Sequence, residues 1–229
     1  MTPADWAGVG TQLDAEGAAI LPALLAPAEC AALQASYGEA RLFRSRVAMA
    51  RHGFGQGEYQ YFDYPLPGPV QSLRAALYPA LAPIANRWQA ALRLETRFPG
   101  ELADFLARCH AAGQRRATPL LLRYGAGDYN CLHQDLYGEH VFPLQVAVLL
   151  SAPARDFTGG EFVLTEQRPR RQSRPQVVPL QQGDGVVFAV HHRPVPGDRG
   201  YSRATMRHGV SRIRSGRRFT LGVIFHDAA

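Results

Sequence analysis

The sequence predicts a mainly β protein of sandwich or jelly-roll type, with α-helices at its N-terminal end. Two observations carry this. From Thr118 onward, about eight short runs of β-forming residues alternate with Gly/Pro turns. Before that point the apolar residues recur at helical spacing. The 22 Gly and 17 Pro among 229 residues suit a turn-rich β fold.

Residues 1–40 read as helical. Pro27-Ala-Glu-Cys-Ala-Ala-Leu-Gln-Ala opens with Pro at an early helical position, and Leu24, Leu25, Ala28, Ala31, Ala32 and Ala35 form an apolar stripe. Residues 41–68 are an Arg/aromatic segment: Arg41, Arg44, Arg46, Arg51, Gly53-Phe-Gly-Gln-Gly57, then Tyr59, Tyr61, Phe62 and Tyr64. It ends in the turn-rich Pro65-Leu-Pro-Gly-Pro69. Val70, Leu73, Leu77, Leu81 and Ile84 return to helical spacing, with Pro79 and Pro83 expected to break or kink that helix. One more short helix is expected over 101–112. The β runs follow: Leu120–Tyr124, Tyr129–Leu136, Phe142–Leu150, Glu161–Thr165, Gln176–Leu180, Gly185–Val190, Thr205–Val210 and Phe219–Phe225. No internal repeat is visible. The chain reads as a single domain over 1–229, with 1–115 as helical support and substrate-recognition segment and 116–229 as jelly-roll core.

Composition excludes several classes. No run of 18 apolar residues exists to span a membrane, and Met1 to Gly10 lacks the basic start and apolar stretch of a secretory signal. Cys30, Cys109 and Cys131 are odd in number and widely spaced, so neither a disulfide framework nor a zinc knuckle is expected. A cytoplasmic protein with reduced thiols is the resulting expectation. All 25 basic residues are Arg, and the net charge is +6. Codon bias accounts for missing Lys, but the physical consequence stands: a positive surface attracts anions, and Arg binds phosphate and carboxylate bidentately.

The chemistry centres on His133-Gln-Asp135. Side chains at i and i+2 of a strand share a face, so the imidazole and carboxylate can meet one metal ion. His208 lies at the end of another predicted strand. Two His and one carboxylate leave positions open, the donor set for non-haem Fe(II) that must also bind substrate and dioxygen. Arg218 follows His208 by ten residues, and Arg218 and Thr220 share a face of the last predicted strand. A guanidinium and a hydroxyl side by side suit a distal carboxylate.

In this combination the sequence resembles the Fe(II)/2-oxoglutarate-dependent dioxygenases. His133, Asp135, His208 and Arg218 match their His-x-Asp, distal His and basic residue, and Thr220 matches the Arg-x-Ser/Thr pair of many members. Arg123-Tyr-Gly-Ala-Gly-Asp-Tyr-Asn-Cys-Leu-His-Gln-Asp135 resembles a run in the prolyl-4-hydroxylase-like and alkylation-repair (AlkB-like) branches. Thr158-Gly-Gly-Glu161 resembles a turn common in the hydroxylase branch. The whole chain also resembles an uncharacterised bacterial family labelled a nucleic-acid oxygenase. The resemblance implies a double-stranded β-helix, Fe(II) held by His133, Asp135 and His208, and 2-oxoglutarate held by Arg218 and Thr220 with a contact from Tyr124. It implies consumption of dioxygen and conversion of 2-oxoglutarate to succinate and carbon dioxide, coupled to oxidation of a substrate C–H bond.

Other residues have blander readings. Arg217 faces away from Arg218 and reads as solvated. Arg212 forms an Arg-x5-Arg pair with Arg218, a spacing found in pockets of the alkylation-repair branch, but reads mainly as surface. Cys131 falls on the predicted face of His133 and reads as a small buried residue. His191-His192 and the basic loop Arg168–Arg174 read as polar surface, the loop having a phosphate-tracking alternative. The Arg/aromatic segment 41–64 is the candidate substrate-recognition element. Three functions follow: oxidation of a modified nucleic acid as hydroxylase or demethylase, hydroxylation of a prolyl or other side chain of a protein or amino acid, or a non-catalytic metal-binding module of the same fold.

Overall fold

The computed structural model describes residues 5–198 and 200–229. Helix α1 (Trp6–Glu16) opens on Asp5, whose side chain accepts from the Gly8 N–H at 3.0 Å, and stops at Gly17, which has φ +75°. Strand β1 (Ala18–Leu21) and helix α2 (Pro27–Ala35) follow. Then come β2 (Phe43–Ala48), β3 (Gly55–Gln56), β4 (Glu58–Phe62), α3 (Gly68–Ala91) and α4 (Leu102–Ala111). The remaining elements are strands: β5 (Leu120–Gly125), β6 (Tyr129–His133), β7 (Leu144–Leu149), β8 (Phe157–Gly159), β9 (Phe162–Gln167), β10 (Arg174–Val178), β11 (Gly185–Ala189), β12 (His192–Gly197), β13 (Gly200–Val210) and β14 (Ile213–Val223).

The strands form two antiparallel sheets. The larger has the order β1-β11-β7-β14-β5-β4-β2, with β8 paired to β14; the smaller has the order β10-β9-β13-β6-β3, with β12 paired to β13. The chain crosses repeatedly between the sheets, from β5 to β6 to β7, from β10 to β11 and from β13 to β14, so the two inner faces enclose one interior, as in a jelly roll. Each of the eight predicted β runs is a strand here. β7 and β11 are buried along their whole length, because both of their faces are covered. The helices cover one face of the larger sheet: Leu13, Leu33, Leu77, Leu81, Trp88 and Phe105 share a core with Val146, Val148, Leu221 and Val223.

Three expectations are corrected. Residues 18–21, expected to be helical, are β1, which pairs with β11 from Ala18↔Phe188 to Leu21↔Gly185. Gly17 ends the helix and passes so close to Met206 and Arg193 that a Cβ would lie 2.8 and 2.9 Å from their side chains. The open edge of β11 then supplies hydrogen bonds that outweigh the helix propensity of Ala-Ala-Ile-Leu. Second, α3 is not broken at Pro79 or Pro83 but runs on through both. Burial of Leu77, Tyr78, Leu81, Ala82, Ile84, Ala85 and Trp88 offsets the lost backbone bonds. Third, the 41–64 segment contributes three strands: β2 and β4 extend the larger sheet beyond β5, and β3 pairs with β6 in the smaller sheet.

A buried polar knot ties α3 to the C-terminal end of β14. Arg74 is 0% exposed and donates to the carbonyls of Ile224 and Phe225 and to Asp227 Oδ1 at 2.9, 3.0 and 2.7 Å. Tyr64 and His110 also meet Asp227, at 2.9 and 2.8 Å. Adjacent His226 accepts from the Phe142 N–H at 3.2 Å through Nδ1, which leaves a proton on Nε2, a buried atom without a partner. Burial first, then the Arg74 charge, pushes its pKa from 6.5 down to about 4. In the unfolded chain this imidazole takes up a proton below pH 6.5, while in the folded chain it stays neutral until about pH 4. Stability therefore falls as the pH drops through that window, by about 3 kcal/mol for this one group. We expect His226→Asn to flatten that part of the stability–pH curve, read by urea unfolding at pH 7, 5.5 and 4.

Candidate metal centre and cavity

Pairing of β13 with β6 sets His208 directly opposite His133. The two rings lie 4.2 Å apart between centroids. Asp135 follows two residues beyond the end of β6 and is buried. One donor atom from each of His133, Asp135 and His208 lies within 4.8 Å of the other two. Asp135 Oδ1 is 3.4 Å from His133 Nε2, and Oδ2 is 3.4 Å from His208 Nε2. His133 Nδ1 donates to the Cys131 carbonyl at 2.8 Å, which leaves Nε2 with a free lone pair facing the cluster. His208 is held by packing, with Phe188 4.6 Å and Phe162 6.0 Å from its ring, and its Nδ1 has no partner.

The strand that delivers His133 is not regular. From β13 to β6 the register runs His208↔His133 and then Val210↔Asn130: two steps on one strand against three on the other. β6 therefore carries one extra residue, a bulge. The bulge turns Asn130 as well as His133 toward the interior and turns Cys131 out. This corrects the expectation that Cys131 is buried: it is exposed. His-x-Asp likewise does not lie wholly within a strand; the strand delivers His133 and an irregular stretch delivers Asp135.

Electrostatics separate the three groups. For Asp135, burial works against the charged form, but His133 and His208 hold the carboxyl well below its usual range. Burial pulls the His133 imidazole down, yet the Asp135 carboxylate outweighs it and the net shift is upward. His208, fully enclosed, ends below its ordinary value, burial outweighing Asp135.

These residues line a cavity of about 210 Å³ inside the jelly roll. The lining also includes Arg218, 1% exposed. One of its terminal nitrogens donates to the Thr220 hydroxyl, its Nε has no partner, and no carboxylate among the described residues pairs with it. Burial brings its pKa down to about 10, against the pull of Tyr124 and Glu161. Tyr124 is fully buried beside it, its ring 5.7 Å from the guanidinium carbon, and its hydroxyl accepts from Asn130 at 3.4 Å. Gly160, of the Gly-Gly-Glu turn, backs Arg218: a Cβ there would lie 2.2 Å from Ile213 Cδ1 and 3.0 Å from Arg218 Cδ.

The structure thus gathers His133, Asp135, His208, Tyr124, Arg218 and Thr220 around one cavity. Arg217 and Arg212 are exposed and lie outside its lining. Cavity residues that the sequence did not single out include Asn130, Tyr137, Gln145 and Phe188. Gln145 could have been found from alternation along β7, since it shares a face with Ala147; Asn130 could not, because the bulge reverses its face. Gln145 Oε1 is buried and without a partner. Of the Arg/aromatic segment, Phe54 and Tyr59 reach the cavity, Phe54 being 46% exposed and stacked on His52 at 5.3 Å. Arg46 is engaged by Glu58, and Arg44 by the Ala117 carbonyl at 2.8 Å and the Tyr61 ring at 4.5 Å. In the basic loop, Arg168 and Arg174 pair with Glu166 and Glu16. His191 and His192 stack on each other at 3.5 Å and are half-buried.

The bulge depends on a residue with no side chain. Gly209 passes the β6 backbone so closely that a Cβ would lie 2.7 Å from the Asn130 carbonyl oxygen. We expect Gly209→Ala to destabilise the fold by about 2 kcal/mol, measured by urea unfolding.

Comparison with known proteins places this geometry. Residues 57–228 match the model of the family Oxygenase-NA, described as an oxygenase catalysing oxidative methylation of damaged DNA. An uncharacterized protein of Mycobacterium tuberculosis, present in strains CDC 1551 / Oshkosh and H37Rv, is 56% identical over 168 residues, 73% of this chain and 72% of the relative. Among solved structures, a Pseudomonas putida prolyl-4-hydroxylase matches with TM-score 0.57 and 15% identity, over 95% of this chain and 96% of that one. A 2OG-Fe(II) oxygenase-family oxidoreductase from Burkholderia pseudomallei matches with TM-score 0.55 and 19% identity, over 100% and 94%. At these identities the two structures show a shared jelly-roll fold.

Proposed function

The chain belongs to the Oxygenase-NA family of oxygenases, and we propose that it is an Fe(II)- and 2-oxoglutarate-dependent dioxygenase that hydroxylates or oxidatively demethylates a modified nucleic acid. The observation that carries the co-substrate is Arg218: a buried cation with an unpartnered Nε and no pairing carboxylate among the described residues. Such a group is costly unless an anion meets it. It lines the same cavity as the His133, Asp135 and His208 cluster, as a dicarboxylate that meets both would require.

The residues present fit the implied groups. His133, Asp135 and His208 would hold iron through two imidazole nitrogens and one carboxylate oxygen, leaving room for co-substrate and dioxygen. When bound, iron with 2-oxoglutarate supplies the oxidising power that breaks a substrate C–H bond. Arg218 and Thr220 would bind the distal carboxylate of 2-oxoglutarate, and Tyr124 would donate a further hydrogen bond. Phe162, Phe188 and Leu122 in the lining keep the cavity dry.

The nucleic-acid part rests on the family description and on the mouth. Phe54 offers an exposed ring on which a base can stack, and the net charge of +6 favours a polyanion. On this reading residues 1–115 are support and substrate-facing segment, residues 116–229 are the catalytic core of a single domain, and the protein acts in the cytoplasm.

Three measurements test this. Incubated with Fe(II), 2-oxoglutarate and single-stranded DNA bearing N-methylated bases, the protein is expected to form succinate and formaldehyde, with His133→Ala abolishing both. Arg218→Met is expected to weaken 2-oxoglutarate binding by about 2–5 kcal/mol, at least roughly thirtyfold. Binding of the DNA is expected to weaken steeply with salt, the log–log slope being about −0.7 per phosphate contacted. No binding at low salt would sink the nucleic-acid reading.

A further inference from the structure

Asp135 lies outside any strand, so no ladder hydrogen bond fixes its carboxylate. Rotation of that group would decide whether a metal meets one oxygen or both. The structure shows what holds it. The Tyr137 hydroxyl donates to Asp135 Oδ1 at 2.7 Å. Oδ2, the oxygen nearer His208, receives no such bond. The Tyr137 ring is braced in turn: it meets Tyr61 edge-on at 6.3 Å, and Arg44 lies 4.5 Å over the other ring. This brace comes from β4 and β2, the strands added to the larger sheet by the Arg/aromatic segment.

We propose that Tyr137 is a positioning residue that occupies one oxygen of Asp135, so that the carboxylate presents only Oδ2 to the metal. The inference rests on the metal assignment made above and goes beyond it. A carboxylate bound through both oxygens takes two coordination positions. With two imidazoles it would leave a six-coordinate ion only two, enough for a chelating dicarboxylate's 2-oxo acid end but not for dioxygen as well. A hydrogen bond on Oδ1 favours one-oxygen binding, because that oxygen's charge is already satisfied. Tyr137 thus guards the number of open positions, which neither the His-x-Asp motif nor the donor count specifies.

The test uses the full chain and Co(II), a metal whose visible absorption reports coordination number. Wild type, Tyr137→Phe, Tyr137→Gln and Asp135→Ala are titrated with Co(II) under anaerobic conditions without 2-oxoglutarate. Tyr137→Phe keeps the ring and its packing but loses the donor. It is expected to bind Co(II) about 10- to 100-fold more weakly, with an altered absorption spectrum. Tyr137→Gln retains an N–H donor and is expected to move the spectrum back toward wild type. A Tyr137→Phe protein with wild-type affinity and spectrum overturns the proposal. So does a Gln variant whose spectrum matches the Phe variant's; where the Phe variant does not fold, a folded Gln variant with a spectrum unlike wild type's overturns the proposal by itself. Loss of binding in Asp135→Ala separates the two readings: if that variant binds Co(II) as wild type does, the metal assignment itself is wrong, whatever Tyr137 does.

Discussion

The centre depends on one register. β13 and β6 come from opposite ends of the jelly-roll sequence, and their pairing sets His208 against His133. A slip of one residue would turn either imidazole out of the interior, because strand side chains alternate faces. The register is held on both flanks of β13: on one side by β9, from Thr205↔Gln167 to Val210↔Phe162, and on the other by β6 itself. The bulge on β6 then adds a constraint that β13 must meet with Gly209, since no Cβ fits against the Asn130 carbonyl. Gly209 therefore follows His208 for a steric reason that belongs to the neighbouring strand.

The N-terminal helices act on the site at one remove. α3 holds the end of β14 through Arg74 and Asp227, and the middle of β14 carries Arg218 and Thr220. The larger sheet thus anchors Arg218 and Thr220, and the smaller sheet His133 and His208. β4 and β2 link the two roles. They complete the edge of the larger sheet beside β5, while Tyr59 lines the cavity and Tyr61 braces Tyr137. A segment that the sequence offers as the candidate substrate-recognition element is in good part a wall of the site.

What was legible in the sequence follows from what kinds of force leave a local trace. The eight core strands were visible because half-buried β strands alternate with turn residues, and the α3 stripe because burial on one helix face repeats with the helical period. His133, His208, Arg218 and Thr220 were visible from their places on strands, and Asp135 from the His-x-Asp motif although it lies beyond the end of β6. β1 was not, because its strand state is imposed by the free edge of β11, and Ala-Ala-Ile-Leu has no such preference itself. The exposure of Cys131 and the inward turn of Asn130 were not, because a bulge shifts parity without a mark in the residues that carry it. Tyr137 was hidden for a related reason: beyond the end of β6 the period-2 ruler no longer applies.

The charged groups that line the cavity bear on the co-substrate proposed above. A metal held by one carboxylate and two neutral imidazoles would carry net positive charge; Arg218 carries a second positive charge with no pairing carboxylate among the described residues. Phe162, Phe188, Leu122 and Ala147 are among the apolar residues of the lining and offer no counter-charge. In such a low-dielectric space, charges act over longer range than in water. A monoanion can satisfy only one of the two, and leaves the other cation buried and unpaired. A dianion with one charge for each satisfies both at once, and the apolar lining favours a short carbon chain between them. Under the proposed function, these two positive groups in one cavity, more than any one contact, are what a small dicarboxylate would answer.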